Sequence, residues 1–303
     1  MGAGASSMLG TEGDEGGGAR RTVMADLPES CVAEVLLHLD PPEICRMARL
    51  SRTFRGAASA DAIWAAKLPR NYGYLMAVAL GGDDCPAKWV LTKKETYAWL
   101  CRRNPFDGGT KEFWLEKKRG GICLSISSKA LSITGIDDRR YWNYIPTEES
   151  RFHTVAYLHQ IWWLEVRGEI DFGFPEGTYS LFFRLHLGRA YKRLGRRVCS
   201  PEHIHGWDIK PVWFHLSTSD GQQAQSKCYL EEPGMWVYYH VGDFAVRDSF
   251  APINVKFSMT QIDCTHTKGG LCIDSVLIQP RGIKQQKIPP AYLQCQQTNG
   301  SYY

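Results

Sequence analysis

Residues 26–69 read DLPESCVAEVLLHLDPPEICRMARLSRTFRGAASADAIWAAKLP, and this stretch decides how the chain is organised. Asp26 stands three residues before Glu29, the spacing of a capping box, and Val32, Val35, Leu36 and Leu39 follow at helical intervals. Asp40 then precedes Pro41, with Glu43 three positions on, so a second helix starts there and carries Ile44, Met47 and Ala48 along one face. Ser51 and Asp61 are placed to cap two further short helices bearing Phe54, Ile63 and Trp64. A unit this small has more apolar positions than it can bury alone. The surplus predicts a partner, either a larger domain that the helices cap or a separate protein that receives their apolar face.

On the N-terminal side, residues 1–25 are rich in Gly, Ala and Ser and have too little apolar content to fold, which predicts a disordered leader. Its opening MGAGAS fits a myristoylation pattern at Gly2, yet a single acyl chain without a strong basic cluster anchors only marginally, so no stable membrane insertion is expected. On the other side, residues 71–110 predict a helical connector. YLMAVAL and TKKETYAWLCRRNPF are broken by Gly81-Gly82 and Pro86, Thr92 and Glu95 have capping-box spacing, and Tyr97, Leu100 and Cys101 form an apolar stripe. These helices are expected to brace the first unit against the C-terminal part of the chain.

From Lys111 the pattern changes. Runs such as GICLSIS, GTYSLFFRLHL, WVYYHVGDFAV and INVKFSMTQID are rich in β-branched and aromatic residues and are punctuated by Gly, Pro, Asp or Ser. About ten such strands predict an antiparallel β-sandwich of jelly-roll type over residues 111–281, followed by a disordered Gln- and Pro-containing tail at 282–303. The expected fold class is therefore α+β and multidomain: a small helical unit at 26–70, then a β-sandwich.

Composition narrows the function. Hydrophobic residues make up 44% and aromatics 12%, and the net charge of +4 is too mild to demand nucleic acid or an anionic membrane. The ten cysteines are scattered with no C-x-x-C pair and no signal peptide precedes them, which predicts a reduced protein of the cytoplasm or nucleus. Cys199, His203 and His205 lack the fourth ligand of a structural zinc site, and the two histidines are expected to flank one face of a strand. The basic residues of 184–197 (Arg184, Arg189, Lys192, Arg193, Arg196, Arg197) are isolated, with no interleaved stacking platform of the kind single-strand binders use, and predict a solvated loop rather than a nucleic-acid site. Carboxylate pairs such as Glu165 with Glu169 or Asp171 with Glu176 have no surrounding motif, and no nucleophile elbow, phosphate loop or dinucleotide fingerprint is present. Neither catalysis nor a cofactor is expected.

Two resemblances sharpen this reading. Leu27-Pro28, Val35-Leu36, Leu39, Pro42, Ile44, Leu50, Phe54 and Trp64 resemble an F-box. That family docks on the Skp-type adaptor of a cullin-RING (SCF) ubiquitin ligase, which implies Leu27, Pro28, Val32, Leu36, Leu39, Pro42 and Ile44 as adaptor-binding anchors. Farther on, KALSITGIDDRRYWNYIP, FHTVAYLHQIWWLEVRGEIDF and INVKFSMTQIDCTHTKGGLCIDSVLIQP resemble the phloem protein 2 family of plants, which includes the lectin Nictaba. The resemblance implies a sandwich that recognises N-acetylglucosamine oligomers or high-mannose N-glycans without hydrolysing them. Together the two imply a subunit that brings a glycosylated target to the ligase; a stand-alone lectin, or a lectin-shaped scaffold that reads protein, fits the same residues.

The chemistry of sugar recognition directs attention to one residue. A pyranose ring stacks its C–H face on an exposed aromatic ring while fixed polar groups hold its hydroxyls. Trp142 lies in the polar context DDRRYWNY, beside Asp137, Asp138 and Tyr141, and is the tryptophan expected to be exposed. Trp162 and Trp163 fall in an apparent strand, so at least one is expected in the core, and core packing is expected for most of Trp207, Trp213 and Trp236. Carried over by resemblance, the lectin's second binding tryptophan falls on Trp142 and its two glutamates on Asn254 and Gln261, which keep hydrogen-bonding capacity without charge. Its first tryptophan falls on Gly135, where a replacement tryptophan would fit only if the backbone does not need positive φ.

Overall fold

The computed structural model describes residues 27–81, 91–193, 196–200 and 203–283, with backbone alone over 189–193 and 196–200. The leader, Gly2, Asp26, the GDDCPAKW stretch, all but the start of the tail, and the side chains of Cys199 and of the basic stretch from Arg189 onward lie outside the described residues.

Among the described residues six α-helices come first: α1 (Glu29–Leu37), α2 (Pro41–Met47), α3 (Arg52–Ala57), α4 (Asp61–Lys67), α5 (Tyr72–Ala79) and α6 (Lys93–Leu100). Three of the expected caps are formed. Asp40 accepts the Glu43 N–H at 3.0 Å, Ser51 accepts the Phe54 N–H at 3.2 Å, and Thr92 with Glu95 makes a reciprocal capping box. Two differ. The N-cap of α1 is Pro28, and α4 begins one residue early, with Ala60 as its cap. Asp61 instead accepts the Lys93 N–H at 3.0 Å and so serves the start of α6 rather than its own helix.

The strands are β1 (Asn104–Phe106), β2 (Lys111–Leu115), β3 (Ile122–Ser127), β4 (Ser132–Ile133), β5 (Trp142–Pro146), β6 (Thr154–Leu158) and β7 (Leu164–Phe172). After them come β8 (Gly177–Leu187), β9 (Arg189–Arg193), β10 (Arg196–Ser200), β11 (Val212–Thr218), β12 (Gln223–Cys228), β13 (Trp236–Val246), β14 (Ile253–Gln261) and β15 (Leu271–Pro280). An eight-stranded sheet holds β1, β2, β3, β5, β6, β8, β13 and β15, and a five-stranded sheet has the order β12-β11-β14-β7-β4. The first of these sheets begins at Asn104, inside the stretch expected to be connector. The basic stretch is a two-stranded ribbon, β9 paired with β10, rather than a loop. Arg184 is not part of it: its guanidinium pairs with Asp274 at 2.6 Å and lies over the Trp236 ring.

The sheets face each other across rings such as Phe183, which packs on both Phe214 and Phe257. Alternation along β7 and β14 delivers this core. Leu164, Val166, Ile170 and Phe172 point inward, as do Ile253, Val255, Phe257 and Met259. Gly168 breaks the apolar run of β7 because it pairs with Phe257, and a β-carbon there would enter the Phe257 ring. On β15 a bulge between Ile273 and Ser275 adds one residue, so that Leu271, Ile273, Val276 and Ile278 all stay in the core.

The helices share that core. Gly173, just past β7, is held on both sides: its N–H donates to Tyr74 Oη at 3.2 Å and its carbonyl accepts from Asn71 Nδ2 at 2.9 Å. Tyr74 meets Phe172 edge-on, and Phe172 continues into Phe106, Phe113 and Phe174. Tyr97 stacks near Trp64 and donates to the Lys117 carbonyl at 3.0 Å, a second brace. Tyr74→Ala removes both a ring and a hydrogen bond from this junction. It is expected to lower global stability by about 2 kcal/mol, read as a drop in the denaturant midpoint.

Candidate functional site: a helical docking face and the far end of the sandwich

The helical unit divides its apolar residues between interior and surface. Val32, Leu36 and Ile44 are fully buried against Phe54, Ile63 and Trp64 within the chain itself, so these three expected anchors are core residues whose side chains already have partners. Leu27, Leu39 and Pro42 are half-buried, and Pro28 is exposed. Two residues outside the expected anchors carry the surface: Val35 is 38% exposed and Leu50 is 67% exposed. Cys31 and Val35 lie one helical turn apart and are both exposed on α1.

At the other end of the chain the expected sugar-binding residues do not come together. Trp142 opens β5 and is 1% exposed, its indole N–H donating to the Thr134 carbonyl at 3.0 Å. The polar residues around it form a turn over the ring rather than a loop that presents it. Asp138 takes up Arg140 at 2.7 Å, which holds its carboxyl below the usual range, and the Asp138 carbonyl accepts the backbone N–H of both Tyr141 and Trp142. Asn254 and Gln261 stand seven positions apart on one continuous strand, an odd separation that sends them to opposite faces about 23 Å apart. Gln261 is buried and donates to the carbonyls of Lys210 and Gly206 at 2.5 and 3.4 Å, so it ties loops together. Asn254 sits at the helical end, where its backbone pairs with Ser219.

Gly135 has φ of +74°, and a β-carbon on it would lie 3.3 Å from the Tyr141 ring. The backbone does need the left-handed region that L side chains resist. Gly135→Trp is therefore expected to destabilise the fold by at least about 1 kcal/mol in thermal melts, with no gain in array binding of N-acetylglucosamine oligomers.

Exposed aromatics are found instead where the core was expected. Trp162 is 53% exposed and Trp163 45% exposed. They occupy a bend between β6 and β7, where the chain passes from the larger sheet to the smaller, and strand alternation does not apply. Ile262 and Tyr141 are also exposed nearby: Leu164 pairs with Gln261, and the Tyr141 carbonyl accepts the His159 N–H at 2.8 Å. Of the other tryptophans, Trp207 is buried in a turn, Trp213 is exposed beneath Lys227, and Trp236 lies under Arg184. The Trp162 bend is at the Leu164 end of β7 and the helical junction at its Phe172 end. The nine residues between separate the two by about 30 Å.

Known proteins match both halves of this arrangement. A family model described as Phloem protein 2 matches residues 121–280, and one described as F-box domain matches residues 24–65. The F-box protein PP2-A13 of Arabidopsis thaliana is 60% identical over 271 residues, covering 89% of this chain and 92% of its own. This chain belongs to the F-box phloem protein 2 family. Another F-box phloem protein 2 member from the same plant, F-box protein PP2-A12, is 59% identical over 87% of this chain and 89% of its own. Among solved structures, a family 35 carbohydrate-binding module from Clostridium thermocellum aligns with 52% of this chain and 96% of its own at 9% identity and a TM-score of 0.31, too distant to bear on function. No helix among the described residues is long and apolar enough to cross a membrane.

Proposed function

We propose that this F-box phloem protein 2 chain is the non-catalytic substrate-recognition subunit of an SCF-type cullin-RING ubiquitin ligase, working in the cytoplasm or nucleus. The observation that carries the reading is the division within the helical unit. Its interior is complete, yet Val35, Leu50 and Pro28 remain on the surface with Leu27, Leu39 and Pro42 half-covered beside the core. Apolar surface left over after a core has closed is what a helix-in-groove partner buries, and a Skp-type adaptor is the partner that an F-box implies. The subunit then acts by proximity, raising the effective concentration of its target beside an active site on another protein.

The sandwich meets the target at its far end. Trp162 and Trp163 place two exposed indoles side by side on one bend, and an exposed aromatic ring is what a pyranose C–H face stacks on. N-acetylglucosamine oligomers and high-mannose N-glycans on a target protein are the ligands proposed for them. A pull-down of the purified chain with a Skp-type adaptor tests the ligase role; an intact chain that captures no adaptor would leave a stand-alone lectin.

A further inference from the structure

We propose that Lys268 is a positioning residue: its buried ammonium ties the loops at the far end of the sandwich and holds the Trp162–Trp163 bend in shape. The inference rests on the reading that this end of the sandwich meets the target.

Lys268 is fully buried. Its Nζ donates to three backbone carbonyls, those of Trp162 at 2.6 Å, Asp263 at 2.9 Å and Gln261 at 3.0 Å. Three donors on one ammonium meet three acceptors, so its hydrogen-bonding capacity is filled without a carboxylate in the set. Desolvation drives the Lys268 pKa below the ordinary lysine range, with the nearby Cys264 and Asp263 opposing it.

The backbone around Lys268 is equally committed. Lys268 and Ile161 exchange both backbone hydrogen bonds at 2.9 Å. A β-carbon on Gly206 would meet the Thr267 carbonyl and Lys268 itself, and one on Gly269 would meet the His159 carbonyl. The Trp207 indole donates to the Gly269 carbonyl at 2.7 Å. The loops after β6, before β11 and after β14 therefore close on one residue. Both indoles of the bend are about half exposed, and the Lys268 bond to the Trp162 carbonyl holds it through the main chain.

The test uses the full chain. With lysine side chains labelled with nitrogen-15, one ammonium signal should persist near neutral pH through slow proton exchange and should vanish in Lys268→Met. Hydrogen exchange read by mass spectrometry should rise at least tenfold over residues 159–164 and 260–266 in that variant, with β8, β13 and the helices unchanged. No slowly exchanging ammonium in the native chain overturns the proposal whether or not the variant folds. So does unchanged loop exchange, or a uniform rise over the whole chain, which would make Lys268 an ordinary core residue. Titration with tri-N-acetylchitotriose, followed by tryptophan fluorescence, adds a separate arm. Where the native chain binds, Lys268→Met should weaken binding at least tenfold; where it does not, the glycan reading fails while the ammonium signal and the exchange pattern still decide the role of Lys268.

Discussion

Charging the surface of α1 and the segment after α2, through Val35→Asp with Leu50→Asp, is expected to abolish capture of a Skp-type adaptor while leaving the chain folded. Both side chains face solvent, so the substitutions cost little in the free protein. At an interface, burying one uncompensated carboxylate costs at least as much as losing a hot-spot side chain, about 2 kcal/mol. Two such losses weaken binding by roughly three orders of magnitude. Leu36→Asp is the contrasting variant. Leu36 is sealed in the helical core, and a carboxylate there should unfold the unit, so any loss of capture would report instability rather than contact. Thermal melts beside the pull-down separate the two. Retained capture by the folded surface variant would remove Val35 and Leu50 from the interface.

A second pair of variants separates a sugar platform from a core residue. Trp142→Ala should cost about 3–5 kcal/mol of stability, the range for emptying a buried tryptophan site, and should leave the Thr134 carbonyl without its donor. Trp162→Ala with Trp163→Ala should change the melting midpoint little, because both rings are about half exposed, yet remove glycan-array signals entirely. Signals that survive the double variant would move the ligand elsewhere on the sandwich.

These contrasts trace what local sequence does and does not encode. Asp40, Ser51 and Thr92 were legible as caps because capping is settled within four residues. The strands β8, β13 and β14 were legible because a run of β-branched and aromatic residues between breakers is read from the strand alone. Trp142 was misread because its neighbours are polar, whereas its burial comes from a turn that folds over it. Trp162 and Trp163 were misread because the run from His153 to Asp171 looked like one strand. At nineteen residues it exceeds any usual strand, and that length was the available signal of a break. Gln261 and Asn254 carried a warning in their odd separation. Lys268 carried none, since its three acceptors lie on segments that only the folded chain brings together.

The two-sided hold on Gly173 has a consequence for ancestry as well as for mechanics. A sandwich severed from its helices would bare Phe172 and leave the Gly173 peptide without Tyr74 and Asn71, an oily stump prone to self-association. A gene that sheds the helical segment must therefore resurface that end before its product is soluble, and one that gains such a segment must supply the tyrosine and asparagine in the same step. Exchange of sandwiches between F-box chains is in this architecture a rewrite of both sides of a seam, and not the cutting of a linker.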